Sequence, residues 1–420
     1  MASSNCADSP SRVTPTAYIP PPNTSQDLAD LDLHPSSVLP EATQDVKDPL
    51  SLELGRLLSF QTGTHTTSPR RETSPTDASS RGIYAYLRIS DAYPETTNAS
   101  NSEHPPFRKI GAGACGIVLA RPGPYQPAVK LSKAPNLTEL HDDYVAHTAI
   151  AKASRDRYIG VNLPKCHLYI PDSEEWFPEQ NPDLFEVAKP ICNLPTHTLI
   201  TERIPALPAA VRERLIEKYC APKGVDGAKS DPANEDCLVR VYLGSMNGRS
   251  ETQFFSLRNF KLHLNQMIEL GLDVGDISRR IGATLANIHW GARQDGRDIE
   301  FVLGGARISR PSTVLQEEGS GAESRGPPEL WVLDFNQVRP ITLDDKGVAQ
   351  AVDALRINDP YYPKPLRESA AERDVWEAFV TAYLHASQAI LRGQGDGIQA
   401  LPRMFIHGII ELERAKKATA

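Results

Sequence analysis

The sequence predicts an α+β protein of two lobes, a small β-rich lobe over residues 82–204 and a mainly helical lobe over 205–420. Ahead of them, residues 1–81 read as a disordered region rich in Pro, Ser and Thr. Three observations carry the prediction. An apolar run enters three glycines, leaves them as a second β-prone run and, past a Pro-Gly-Pro turn, continues into a third run that holds Lys130. The stretch Thr198–Ile204 then stops at Pro205, after which helical periodicity takes over. Finally, two aspartates in the helical half, Asp295 and Asp334, each lie beside a short apolar run.

In chain order, the N-terminal region contains Pro20-Pro21-Pro22 and Ser68-Pro69, with too few apolar residues to offset the entropy of ordering. One exception is residues 49–60, where Leu50, Leu52, Leu54, Leu57, Leu58 and Phe60 predict a short amphipathic helix capped by Ser51. Its partner is either the folded part of the chain or another protein.

The glycines are Gly111, Gly113 and Gly116, followed by Ile117–Ala120 and then by Ala128-Val129-Lys130. A dinucleotide fingerprint would run strand, glycines, helix, and Pro122 with Pro124 removes that helix. Glycines between two strands instead make a turn whose bare backbone lets phosphates approach, and a lysine ammonium can hold the phosphate oxygens. A plain hairpin with a solvated lysine fits these residues equally well when they are taken alone. Residues 135–154 then predict a helix from Leu137, Leu140, Tyr144 and Ala151, with His147 and Thr148 interrupting the stripe. Glu139, Asp142 or Asp143 on that helix can pair with Lys130, and the sequence does not choose among them.

Beyond Pro205 come a helix over 209–219, a polar loop to Asp236 and a helix over 259–270. Asp273 opens a further helix to Trp290, with Ile277, Ile281, Leu285 and Ile288 on one stripe. The loop after it holds Asp295, a candidate catalytic carboxylate, and Glu300 follows five positions later before Phe301-Val302-Leu303. Residues 306–328 read as a flexible insert rich in Gly, Ser and Glu. Leu330–Leu333 then leads into Asp334, a carboxylate at the end of a buried strand, which is costly unless it meets a cation. Asp334, with Glu300, is a candidate Mg²⁺ ligand. Asn358–Pro363 is a rigid turn, and helices over 370–391 and 404–417 complete the chain.

Composition excludes several classes. With 45 Lys and Arg against 53 Asp and Glu the net charge is −8, which lacks the basic footprint that nucleic-acid binding needs. No run approaches the length of a membrane span, and Met1–Pro10 lacks an apolar signal core, so an intracellular protein, cytoplasmic or nuclear, is expected. The six cysteines, Cys6, Cys115, Cys166, Cys192, Cys220 and Cys237, form no C-x-x-C pair and do not support zinc.

Read together, F-R-K-I-G-A-G-A-C-G, F-F-S-L-R-N-F, I-H-W, D-I-E-F-V-L-G-G, W-V-L-D-F-N-Q and N-D-P-Y-Y-P resemble a fungal family of unknown function often labelled "zinc finger protein". That resemblance spans about Phe107 to Leu391, implies a fungal origin and assigns no catalytic residue. More distantly, Gly111, Lys130, Asp295 and Asp334 resemble protein and small-molecule kinases. This resemblance implies a bilobal kinase-like fold with ATP phosphates on the glycines and Lys130, Mg²⁺ on Asp334, and Asp295 toward the acceptor. Here Glu300 stands where kinases have Asn, Asn336 where they have Gly, and Arg293-Gln294 where they have His-Arg. Three functions follow as expectations: an ATP- and Mg-dependent phosphotransferase, a pseudokinase-like interaction protein of the same fold, and, third, a zinc-dependent regulator.

Overall fold

The computed structural model describes residues 106–123, 126–135, 138–157, 159–250, 252, 255–307 and 327–419. The expectations for the N-terminal region, for the helix at 49–60 and for nearly all of the insert at 306–328 lie outside the described residues. Within them the chain is a mixed α+β structure.

The first sheet is made of β1 (Arg108–Ala112), β2 (Gly116–Ala120), β3 (Ala128–Ser132), β4 (Cys166–Ile170) and β5 (Thr198–Thr201). Its order is β1-β2-β3-β5-β4, antiparallel throughout. Side chains alternate faces along a strand, so Ile117, Leu119, Val129 and Leu131 enter one core while Val118 and Lys130 point the other way. That core is closed by two short helices, α2 (Trp176–Gln180) and α3 (Pro182–Ala188), through Phe177, Leu184 and Ala188. The longer helix α1 (Glu139–Ser154) packs on β3, β4 and β5. Gly116 is where the β2–β3 pair closes tightest: a Cβ there would lie 2.5 Å from the Leu131 carbonyl oxygen.

A second sheet holds β6 (Val239–Tyr242), β7 (Lys261–His263), β8 (Glu300–Gly304) and β9 (Glu329–Leu333) in the order β7-β6-β8-β9. The β6–β7 pair is parallel and the others antiparallel. Around it lie α4 (Ala209–Tyr219), α5 (Val225–Ser230), α6 (Leu264–Glu269), α7 (Val274–Ala286), α8 (Asp345–Ile357), α9 (Ala370–Ile390) and α10 (Asp396–Thr419). They share a larger core in which α7 lies against α9. Asp273 caps α7 by accepting the Asp276 amide at 2.7 Å. Gly282 lets the two backbones close to where a Cβ would stand 2.5 Å from the Phe379 carbonyl, and Ser278 Oγ donates to the Val375 carbonyl at 2.6 Å.

Three elements differ from the sequence reading. The helix expected over 259–270 is β7 followed by the shorter α6, because Lys261–His263 pairs with β6 and His263 then caps the helix. The last helix begins at Asp396 and not near Met404, and Pro402 sits inside it. An interior proline costs a helix a hydrogen bond, which here is offset by burial of Leu401, Pro402, Phe405 and Ile406. On α1, His147 does not break the buried face but belongs to it, together with Leu140, Asp143, Ala146 and Ile150.

Candidate functional site

A cavity of about 280 Å³ is lined by both sheets. The β1–β2 glycine turn, Val118 and Lys130 come from the first sheet, while Leu238, Arg240, Glu300 and Asp334 come from the second sheet and its approaches. Gly111, Gly113 and Gly116 all reach it, and around a Cβ placed on Gly113 nothing lies within 4 Å.

Lys130 is the meeting point. Its Nζ donates to Asp143 Oδ2 at 2.9 Å and to Asp334 Oδ1 at 3.1 Å. Burial alone would lower the ammonium's pKa, but the two carboxylates outweigh it and hold it above its ordinary value. Of the three acidic residues on α1 the helix turns Asp143 inward, where its side chain is nearly buried, while Asp142 stays half exposed. Asp334 follows the last residue of β9 with φ +66°, a left-handed conformation that aspartate tolerates better than most residues. Two residues on, Asn336 Nδ2 donates to Cys115 Sγ at 3.1 Å, and its buried Oδ1 has no partner among the described residues.

Glu300 meets a cation of its own. Arg240 Nη2 lies 2.5 Å from Glu300 Oε1. Burial pushes the Glu300 carboxyl up to about 7, Arg240 and Lys130 pull it down, and Asp334 and Asp298 push it up further. Asp298, just ahead of β8, has φ +60° and accepts from Gln337 Nε2 at 2.5 Å. Burial and then the charge of Asp334 raise its carboxyl above the usual range. His147 is neutral: burial lowers its pKa, and its Nε2–H donates to the Pro164 carbonyl at 2.7 Å.

Asp295 is set apart from these residues. It does not line the cavity, and its side chain has no exposure. Its Oδ1 accepts the amides of Arg297 and Arg339, both at 3.0 Å, and its Oδ2 accepts Arg339 Nε at 2.9 Å and Gln350 Nε2 at 3.0 Å. This is the bonding of a carboxylate that ties the loop before β8 to the segment after Asp334. The structure thus brings Gly111, Gly113, Gly116, Lys130, Glu300 and Asp334 to one cavity and leaves Asp295 outside its lining. The sequence reading missed Arg240, His147 and Asp298. A lone arginine inside the apolar run Leu238–Tyr242 was the available signal for the first of them.

Among known proteins, a family model described as "Zinc finger protein" matches residues 330–395. That segment runs from β9 through Asp334 and α8 to just past the end of α9, and it contains no cysteine and one histidine, His385. No curated protein matches the chain. Among the described residues no group of three or more His, Cys, Asp and Glu is arranged to hold a metal ion, and no helix is long and apolar enough to cross a membrane.

Proposed function

We propose that the cavity is the nucleotide site of a kinase-like, bilobal protein. The observation that carries this reading is the placement of Lys130. A strand-borne ammonium is bound both to a helix carboxylate, Asp143, and to a carboxylate at the end of a strand, Asp334, beneath a glycine turn. Phosphoryl-transfer enzymes hold ATP with this set of parts. Lys130 and the glycine turn would hold the phosphates of ATP, and Asp334 would hold Mg²⁺. The fit is supported by the open space over Gly113 and by the unpartnered Oδ1 of Asn336, a neutral oxygen of the kind Mg²⁺ accepts. ATP–Mg supplies a transferable phosphoryl group when bound. Of this chain's residues, Lys130 neutralises phosphate charge and Asp143 orients Lys130.

Binding without transfer is the form of this reading that the geometry favours, as in a pseudokinase-like interaction protein. Asp295 is enclosed by four donors and Glu300 is engaged by Arg240, so neither is free for the acceptor or the metal. Phosphoryl transfer stands as a second reading, and it would require Asp295 or Glu300 to be released from these partners. Thermal unfolding with and without ATP–Mg tests the site. At one hundred times Kd the fold should gain about 2.7 kcal/mol, and Lys130→Ala should abolish the gain. A wild-type protein that shows no shift at millimolar ATP–Mg overturns the proposal.

A further inference from the structure

Four cationic side chains line the cavity: Lys130, Arg203, Arg240 and Arg258. Three of them are matched by carboxylates of the same cavity. Lys130 meets Asp143 and Asp334, Arg203 Nη2 lies 2.6 Å from Asp236 Oδ1, and Arg240 is bound to Glu300. Arg258 has no carboxylate partner among the described residues, and its Nε–H is buried without an acceptor. A buried, charged donor left unpaired is costly. A planar guanidinium fork is also the side chain best shaped to take two oxygens of one anion.

The turn that presents Arg258 is built and held. The Leu257 amide donates to Asn234 Oδ1 at 2.8 Å, and Asn234 is itself buried and donates to the Ala228 carbonyl at 2.8 Å. The Arg258 amide donates to Ser256 Oγ at 3.1 Å, and the Phe260 amide to the Leu257 carbonyl at 3.2 Å. Asn259 takes φ +57°, which turns the chain into β7. The strand register fixes which end of the cavity this is. Arg240 pairs with Lys261 in parallel and donates its amide to the Phe260 carbonyl, so the turn that holds Arg258 enters β7 on the Val239 side of Arg240. Glu300 lies in the other direction, level with Tyr242, since Arg240 pairs with Val302 in antiparallel register. The turn that carries Arg258 and the Glu300 side of the cavity thus lie toward opposite ends of β6.

We infer that Arg258 binds a second anionic group, a carboxylate or phosphate, on the side of the cavity away from Glu300. The molecule or pair of molecules in the cavity is therefore negatively charged at both ends. This rests on the nucleotide reading for the first anion and on Arg258 alone for the second. The second anion comes either from the nucleotide itself, as an additional phosphate on its ribose, or from a separate anionic acceptor.

Isothermal titration of the full chain separates these sources. The probes are ATP–Mg, AMP, an adenosine bisphosphate carrying its second phosphate on the ribose, and citrate added to ATP–Mg-loaded protein. A charged hydrogen-bond pair predicts that the bisphosphate binds about tenfold tighter than AMP, or that citrate binds the loaded protein about tenfold tighter than it binds the Arg258→Gln variant. The first result places the anion on the nucleotide and the second on an acceptor. Arg258→Gln should remove whichever gain is seen and leave ATP–Mg within about twofold of wild type. If that variant does not fold, Arg258→Lys, which keeps the charge and loses the fork, carries the comparison with the same expected loss. Absence of both gains in wild type, or loss of ATP–Mg affinity itself in Arg258→Gln, overturns the inference. A gain for citrate on the free protein that needs Arg258, alongside no ATP–Mg binding, overturns the nucleotide reading and sustains this one.

Discussion

Asp295 and Asp334 occupy equivalent places in the sequence, each beside a short apolar run, yet their oxygens meet different partners. Asp295 receives four N–H donors and no solvent, whereas Asp334 is about one-third exposed and shares an ammonium with Asp143. Asp295→Ala should therefore destabilise the fold by about 3–5 kcal/mol in denaturant unfolding, because it strands those donors and part of the Arg339 charge. ATP–Mg binding by the folded fraction should be unchanged. Asp334→Asn should do the reverse, with a small stability cost and a thermal shift that no longer depends on Mg²⁺. Glu300 adds a pH signature. Its ordinary value is 4.5 and its folded value about 7, so between these the folded chain keeps a proton that the unfolded chain has released. Stability from this group is fully present below 4.5 and is lost as pH rises through 7. The gap corresponds to on the order of 3 kcal/mol. Glu300→Gln should flatten this fall, seen as a difference in Tm between variant and wild type that grows across that window. Which acidic residue on α1 meets Lys130 was not legible in the sequence, because Asp142 and Asp143 are adjacent and only the rotation of the packed helix separates them.

At the scale of elements, local pattern carried far but non-local pairing did not show. The strands around the glycines, the Asp273-capped helix, β8 and β9 all follow from alternation, caps and breakers within a dozen residues. Parallel pairing of Lys261–His263 with Val239–Tyr242 depends on a partner some twenty residues away in sequence, so a helical pattern was read where a strand begins. The three glycines, alike in the motif, also separate at this scale. A Cβ on Gly116 would stand 2.5 Å from the Leu131 carbonyl, a backbone atom that cannot yield without moving β3, whereas one on Gly113 meets nothing within 4 Å. Gly116→Ala should cost about 1–3 kcal/mol in unfolding experiments on the free protein. Gly113→Ala should stay within about 0.5 kcal/mol of wild type, while under the proposed nucleotide reading the ATP–Mg shift shrinks because the new methyl enters the open space that reading gives to phosphate. Equal destabilisation by both changes would mean that the turn is no more than a tight hairpin.

For the whole molecule, the description carried by the matching family and the chemistry of this chain point in different directions. The matched segment has no cysteine, and the described cysteines are scattered: Cys115 in the glycine turn, Cys166 on β4, Cys192 after α3, Cys220 at the end of α4 and Cys237 ahead of β6. Burial raises the thiol of Cys237 to about 12 and that of Cys166 to about 12, which opposes the thiolate form that zinc requires. What holds the fold together is apolar: a large core around the second sheet and a smaller one under the first, with the charged cavity lined by both sheets. A structural zinc contributes on the order of 10 kcal/mol or more to folding, so a chelator unfolds a protein that depends on one. The purified chain should therefore carry well under one zinc by elemental analysis, and its Tm should be unchanged by EDTA in the absence of nucleotide. With ATP and Mg²⁺ present the same chelator should lower Tm to the nucleotide-free value, because it removes the Mg²⁺ that the proposed nucleotide site would hold at Asp334. Stoichiometric zinc with a chelator-induced collapse of the apo fold would reverse both expectations and move the metal to ligands outside the cavity.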